Sequence, residues 1–166
     1  MTYPIEKSTW KDAVELLHLH RSIARETSNL AVSKTDKNPS TILTFAKAFL
    51  HRKRVHTFVA KDGNRIIGYI TIVTGKFKKV GKNAYIVMAV LDTYRGKGIG
   101  TKLLEHSEHF ARAKGMHRIE LEVFESNKGA IKLYEKNGFV HEGRRREAVA
   151  NENGFEDILW MGKILP

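Results

Sequence analysis

Glycine at every second position, Gly96, Gly98 and Gly100 within Arg95-Gly96-Lys97-Gly98-Ile99-Gly100, constrains this chain more than any other feature. Before it stands Ala84 to Leu91, apolar at nearly every position, as a central strand covered on both faces must be. After it, Ile99, Leu103, Leu104, Phe110 and Ala111 form a stripe at helical spacing, closed by Lys114-Gly115. Glycines remove side chains where an anion must approach backbone N–H groups, and the helix adds unsatisfied donors and the positive end of its dipole. Arg95 and Lys97 supply mobile counter-charge. The run reads as a cradle for a diphosphate.

Two other anion loops fit less well. A P-loop needs glycine five residues before Gly100, where Arg95 stands, and Gly100 is followed by Thr101-Lys102 instead of Lys-Ser/Thr. The dinucleotide fingerprint needs glycine where Thr101 stands, although Glu120 does imitate its ribose-binding acid. Kinase chemistry is disfavoured, and nicotinamide binding is a poor alternative.

The flanking sequence supplies the rest of a domain. A short strand near Ile5 leads, with Ser8 or Thr9 as cap, into a helix carrying Trp10, Ala13, Val14, Leu16, Leu17 and Ile23. Ser40 can cap a second helix through Leu50. Thr57 to Ala60 and Arg65 to Val73 flank Asp62-Gly63 as the arms of a tight hairpin. Arg118 to Phe124 alternates as a strand, Asn127 caps a helix ended by Gly138, and two strands follow near 139–149 and 155–164. Strand, glycine loop, helix and strand make a right-handed parallel crossover.

Composition narrows the function classes. A chain of 166 residues is of common single-domain size, and 42% hydrophobic with 28% charged residues is ordinary globular usage, so one domain over 1–166 is expected. Having no cysteine, the chain offers no disulfide, thiolate nucleophile or cysteine-based zinc site. No apolar run approaches the length of about 20 residues that a membrane span needs, and the start lacks a signal segment; the expectation is a soluble, cytoplasmic protein. Lys and Arg exceed Asp and Glu by 29 to 18, which draws polyanions: a nucleotide cofactor or RNA.

The stretch Met88 to Gly100 resembles the acetyl-CoA motif of the GNAT N-acetyltransferase superfamily. A second match, Leu121-Glu122-Val123, Ser126-Asn127, Ala130-Ile131, Leu133-Tyr134-Glu135 and Gly138-Phe139, is similar to that superfamily's next strand and helix. The resemblance spans roughly residues 55 to 164. One departure is Asp92, where many members have proline; little effect on the loop is expected. His141 to Gly143 and Gly154 to Met161 are similar to the branch containing ribosomal-protein, polyamine and amino-acid acetyltransferases.

The resemblance implies an α/β (α+β) GNAT fold: a mixed sheet of about seven strands, the two central ones parallel and splayed, and four helices. It implies acetyl-CoA as co-substrate and no metal. Met88, Ala89 and Val90 would contact the pantetheine at a bulge; Arg95, Gly96, Lys97, Gly98, Ile99, Gly100 and Thr101 would hold the diphosphate; Asn127 and Tyr134 would also contact the cofactor. Tyr134 matches the general acid and Glu122 a general base, although Glu120 or Glu122 could equally be a salt-bridge partner of Arg118 or of Arg144 to Arg146. A free phenol gives its proton to a thiolate uphill by roughly 2 kcal/mol, so Tyr134 must act in concert with C–S cleavage or have a lowered pKa. Freeing an α-amine at pH 7 costs roughly 1.4 kcal/mol but a lysine-like amine about 4.6, so the strength of base needed depends on the acceptor.

The reaction implied is direct attack by a primary amine of a small molecule, amino acid or protein N-terminus, since no Gly-x-Ser-x-Gly or cysteine offers a covalent route. The expected partner is that small-molecule or peptide amine, with no membrane, nucleic acid disfavoured and a homodimer allowed. His106 with His109, and His18 with His20, have no third ligand nearby and read as surface residues. Lys76, Lys78, Lys79 and Lys82, and Arg144 to Arg146, read as solvated runs; the competing function is a basic, non-catalytic module that binds RNA or protein through them.

Overall fold

The computed structural model describes residues 3–26, 53–75, 81–151 and 154–166. Its strands are β1 (Ile5–Lys7), β2 (Val55–Asp62), β3 (Arg65–Thr74), β4 (Asn83–Val90), β5 (Arg118–Phe124), β6 (Val140–Asn151) and β7 (Gly154–Ile164). The α-helices among the described residues are α1 (Ala13–Glu26), α2 (Ile99–Ala113) and α3 (Lys128–Lys136). The helix expected over 40–50 lies outside the described residues, so three of the four expected helices are seen.

One seven-stranded sheet runs in the order β1-β2-β3-β4-β5-β7-β6. All neighbours are antiparallel except β4 and β5, the pair that brackets the glycine loop and α2. The hairpin falls where expected but one residue later: Asp62 pairs with Arg65, and Gly63, at φ +58, takes the left-handed position that glycine adopts without strain.

Alternation assigns the two faces. Met88, with its Cε beside Gly100, and Phe58, stacked on Phe110, face α2. Tyr69, Tyr85 and Ala89 have the opposite parity, and the Tyr69 hydroxyl meets Nδ1 of His20 on α1 at 2.8 Å. Leu16, Leu19 and Ile23 bury the inner side of α1; Leu103, Leu104 and Ala111 do so for α2. Two members of the stripe read from sequence, Trp10 and Val14, are instead 69% and 66% exposed, because α1 begins only after a 3₁₀ turn at Trp10–Asp12. Thr9 does cap that turn, giving its N–H and hydroxyl to Asp12. His18 is exposed, as expected, but His20, read from sequence as a surface residue, is buried, because residues two apart on a helix point to nearly opposite sides and α1 turns the second toward Tyr69.

Candidate functional site

The two parallel strands pair only at their start: Asn83 with Arg118, Ala84 with Ile119 and Tyr85 with Glu120. Beyond Tyr85 they part, while β4 keeps unbroken register with β3 as far as Val90 opposite Gly68. The Leu91 N–H donates to Ile67, and the Asn83 carbonyl accepts from Gly75, so odd-numbered residues of β4 turn their backbone groups toward β3. Even-numbered Met88 and Val90 therefore present theirs to the opening. The expected bulge is absent from this pairing; the splay itself exposes the polar edge. Of the three residues proposed to bind by backbone, Ala89 uses its own on β3 and contributes only to the wall.

A cavity of about 550 Å³ fills the opening, within the ordinary range for a small-molecule site. Met88, Gly100 and Leu133 line it from the α2 and α3 side, and Ala89 with Ile23 of α1 from the other. The cavity thus passes through the sheet at the fork.

The glycine loop forms its mouth. Gly96 and Gly98 have φ of +74 and +77, and a side chain on either would meet nothing within 4 Å. Both are glycine for backbone conformation, and Gly98 directly precedes α2, where N–H groups lack helical partners. Gly100 differs. A Cβ there would sit 2.8 Å from Leu133 Cδ2, so this glycine lets α2 and α3 approach. Arg95, Ile99 and Thr101 line the cavity; Lys97 does not, its ammonium lying 4.6 Å over the Tyr94 ring. Polar backbone in the gap and open space over left-handed glycines are what a pantetheine arm and a diphosphate require, so the residues fit acetyl-CoA.

Asn127 caps α3, its Oδ1 accepting from the Ala130 N–H at 3.2 Å, and also lines the cavity. Tyr134, two turns on, is 7% exposed and packs 5.8 Å from Phe139. Burial, and secondarily the nearby Tyr85 phenol, push its pKa up to about 12, not down. At that value the phenol keeps its proton near neutral pH, and full transfer to a thiolate would be uphill by roughly 5 kcal/mol.

Glu122 lies elsewhere. It shares the α1-side face with Glu120, outside the cavity wall, and its carboxylate sits 3.4 Å from the Arg145 guanidinium. Glu120 pairs with Arg118, which also holds Glu142 at 2.5 Å. Arg144 is engaged by Glu125 and by Asp157 at 3.1 Å, so two members of the arginine run are partly neutralised. Lys76, Lys78 and Lys79 fall outside the described residues. No group of three His, Asp or Glu side chains suited to a metal occurs among the described residues, and none of their helices is long and apolar enough to cross a membrane.

Sequence reasoning missed Tyr85, hidden in an apolar strand. It is the last residue of β4 paired to β5, its ring 6.1 Å from Trp160, and burial followed by the charge of Glu122 raises its pKa. Ile23 was read only as core. The available signal was a lone tyrosine where the parallel strands divide.

The acetyltransferase (GNAT) family pattern matches residues 15–139. N-alpha-acetyltransferase 30 of Xenopus laevis is 30% identical over 136 residues, 81% of this chain but only 46% of the relative's length. The [ribosomal protein bS18]-alanine N-acetyltransferase of Escherichia coli K12 is 30% identical over 112 residues, 63% of this chain and 76% of that one. A GNAT-family acetyltransferase structure from Streptococcus pneumoniae superposes with a TM-score of 0.86 at 25% identity, covering 99% and 100% of the two chains. The Salmonella typhimurium yncA structure, solved with acetyl-CoA, shares the fold at a TM-score of 0.84 and 17% identity, over 100% and 95% of the chains. The open fork and glycine cradle thus belong to a pattern matched along most of the sequence, and the chain is a member of the GNAT acetyltransferase family, whose donor is acetyl-CoA.

Proposed function

We propose that this protein acetylates an α-amino group, on an amino acid or at a peptide N-terminus, within a single GNAT domain. The observation that carries the reading is the cavity that crosses the sheet at the β4–β5 fork, with a cofactor cradle on one side and α1 on the other. Gly96, Gly98, Ile99 and Thr101 would hold the diphosphate; Met88 and Val90 would offer backbone groups to the pantetheine; Asn127 and Tyr134 would flank it. Bound acetyl-CoA supplies the activated thioester.

The chain's own residues position and protect. Ile23, Ala89 and Leu133 exclude water from the fork, and the Tyr134 hydroxyl donates a hydrogen bond where negative charge collects on sulfur. Two considerations favour an α-amine. Glu122, the candidate base, lies outside the cavity wall with its carboxylate against Arg145, so the site suits an α-amine, which frees its electron pair near neutral pH at a cost of roughly 1.4 kcal/mol against about 4.6 for a lysine-like amine. The two sequence relatives named above carry N-alpha and alanine acetylation in their names.

A panel of amines with thiol release as readout tests the reading. Peptides with free N-termini should turn over at pH 7.5 at least tenfold faster than N-terminally blocked peptides offering only lysine. The reverse preference would overturn the α-amine assignment, and thiol release from none of the amines would overturn the enzyme.

A further inference from the structure

Beside Arg95, which lines the cavity, stands an anion where a phosphate cradle would be expected to have none. Asp92 opens the 3₁₀ turn Asp92–Tyr94, and its Oδ1 lies 2.9 Å from Nη1 of Arg95, whose own N–H donates to the Asp92 carbonyl at 3.0 Å. The second loop cation, Lys97, rests on the Tyr94 ring, and the Tyr94 hydroxyl donates to Asp62 at 2.8 Å. Both cations of the cradle are thus held by partners on or beside their own loop.

We propose that Asp92 is a positioning residue that holds the Arg95 guanidinium off the diphosphate, so that acetyl-CoA and product CoA bind more weakly, and CoA leaves faster, than the loop would otherwise allow. The inference rests on the assignment of Arg95 to Thr101 as the phosphate cradle. One guanidinium cannot give its fork of donors fully to a carboxylate and to a diphosphate at once. Arg95 and Asp92 are 47% and 63% exposed, and an exposed pair is worth a few-fold in affinity at most, so Asp92 adjusts binding without preventing it.

Calorimetry with acetyl-CoA and with CoA tests this in the unaltered protein, in Asp92→Asn and Asp92→Ser, and in each combined with Arg95→Ala. Removing the carboxylate should tighten both ligands about two- to fivefold at 50 mM salt, narrowing to less than about twofold at 0.5 M as the charges are screened. In the Arg95→Ala background the gain should vanish, and Asp92→Glu should restore ordinary affinity. In steady state the KM for acetyl-CoA should fall with kcat unchanged or lower, and inhibition by CoA should strengthen, as expected for tighter binding that is not specific to the transition state. Equal tightening with and without Arg95 would show that Asp92 acts on the cofactor directly and would overturn the proposal. Unchanged or weaker binding in both Asp92 variants would overturn it as well. Failure of the unaltered protein to bind acetyl-CoA would remove the cradle assignment too, whereas normal binding with indifferent variants would remove only the role of Asp92.

Discussion

The two faces of the sheet meet at the fork but are built from different materials. On the α2 and α3 side the walls are mostly Met88, Leu133, Tyr134 and the glycine loop, apolar side chains and fixed backbone, with Arg95, Lys132 and Lys136 as cations and no carboxylate among the lining residues. On the α1 side the strands carry Tyr85, Glu120, Glu122 and Trp160, with Arg118, Glu142 and Arg145 drawn into ion pairs across them. Backbone geometry recognises what every member of a family must bind, whereas exposed, paired side chains can be exchanged without disturbing the strands. In the function proposed above, the common cofactor takes the first face and the variable acceptor the second.

Tyr134→Phe is the sharpest way to break that division. If the hydroxyl serves the departing sulfur, kcat should fall by one to several orders of magnitude while acetyl-CoA affinity, measured by calorimetry, stays within about threefold. Equal turnover would make Tyr134 a packing residue only. Gly98→Val attacks the same face through its backbone. A β-branched residue at φ +77 is strained, so acetyl-CoA binding should weaken by at least about tenfold, with a lower melting temperature. Gly100→Ala, by contrast, asks only that the end of Leu133 turn away, and should cost less affinity than Gly98→Val.

How much of this was legible in the sequence follows the same division. The cradle, the cap at Asn127 and the parallel crossover are local, written in glycine spacing, capping residues and apolar period, and they can be read from a single chain. The roles within the cradle were not local: Gly96 and Gly98 meet a backbone need while Gly100 meets a packing need, and only Leu133, from a helix beyond β5, separates them. For Glu122 the sequence left two readings open, base or partner of the arginine run, and the pairing with Arg145 depends on a strand that joins the sheet out of sequence order, beyond β7. Tyr85 and Ile23 were hidden for the opposite reason, since apolar patterning accounts for both so well that nothing marks them as lining or bordering a site.

The acceptor face offers a smaller test. Glu122→Gln keeps the hydrogen-bonding shape and removes the charge. If Glu122 assists deprotonation, kcat/KM should drop up to about tenfold near pH 7 and recover as pH approaches the amine's own pKa, because the free amine then needs no base. A uniform loss at all pH values, matched by Arg145→Met, would mean that the ion pair merely orders β6 against β5.

The smallest effect is on stability, and it distinguishes the faces by count. Three histidines have pKa values lowered from the usual 6.5: His20 on α1 by burial, His106 on α2 by burial and then by His109, and His56 on β2, stacked on Phe110, by burial and then by Lys7 and Lys114. In each case the unfolded chain takes up a proton at a higher pH than the folded one. Their contribution is therefore complete above about pH 6.5 and is lost as pH falls below it toward the lowered folded values, at no more than about 1.4 kcal/mol per pH unit for each. Two of the three lie on the α2 side. Urea unfolding at pH 7.5 and 5.5 should show the larger part of the acid loss removed by His56→Gln with His106→Gln and the smaller part by His20→Gln. The opposite ranking would place the more tightly packed face with α1, where the His20 ring meets the Tyr69 hydroxyl behind the cavity wall.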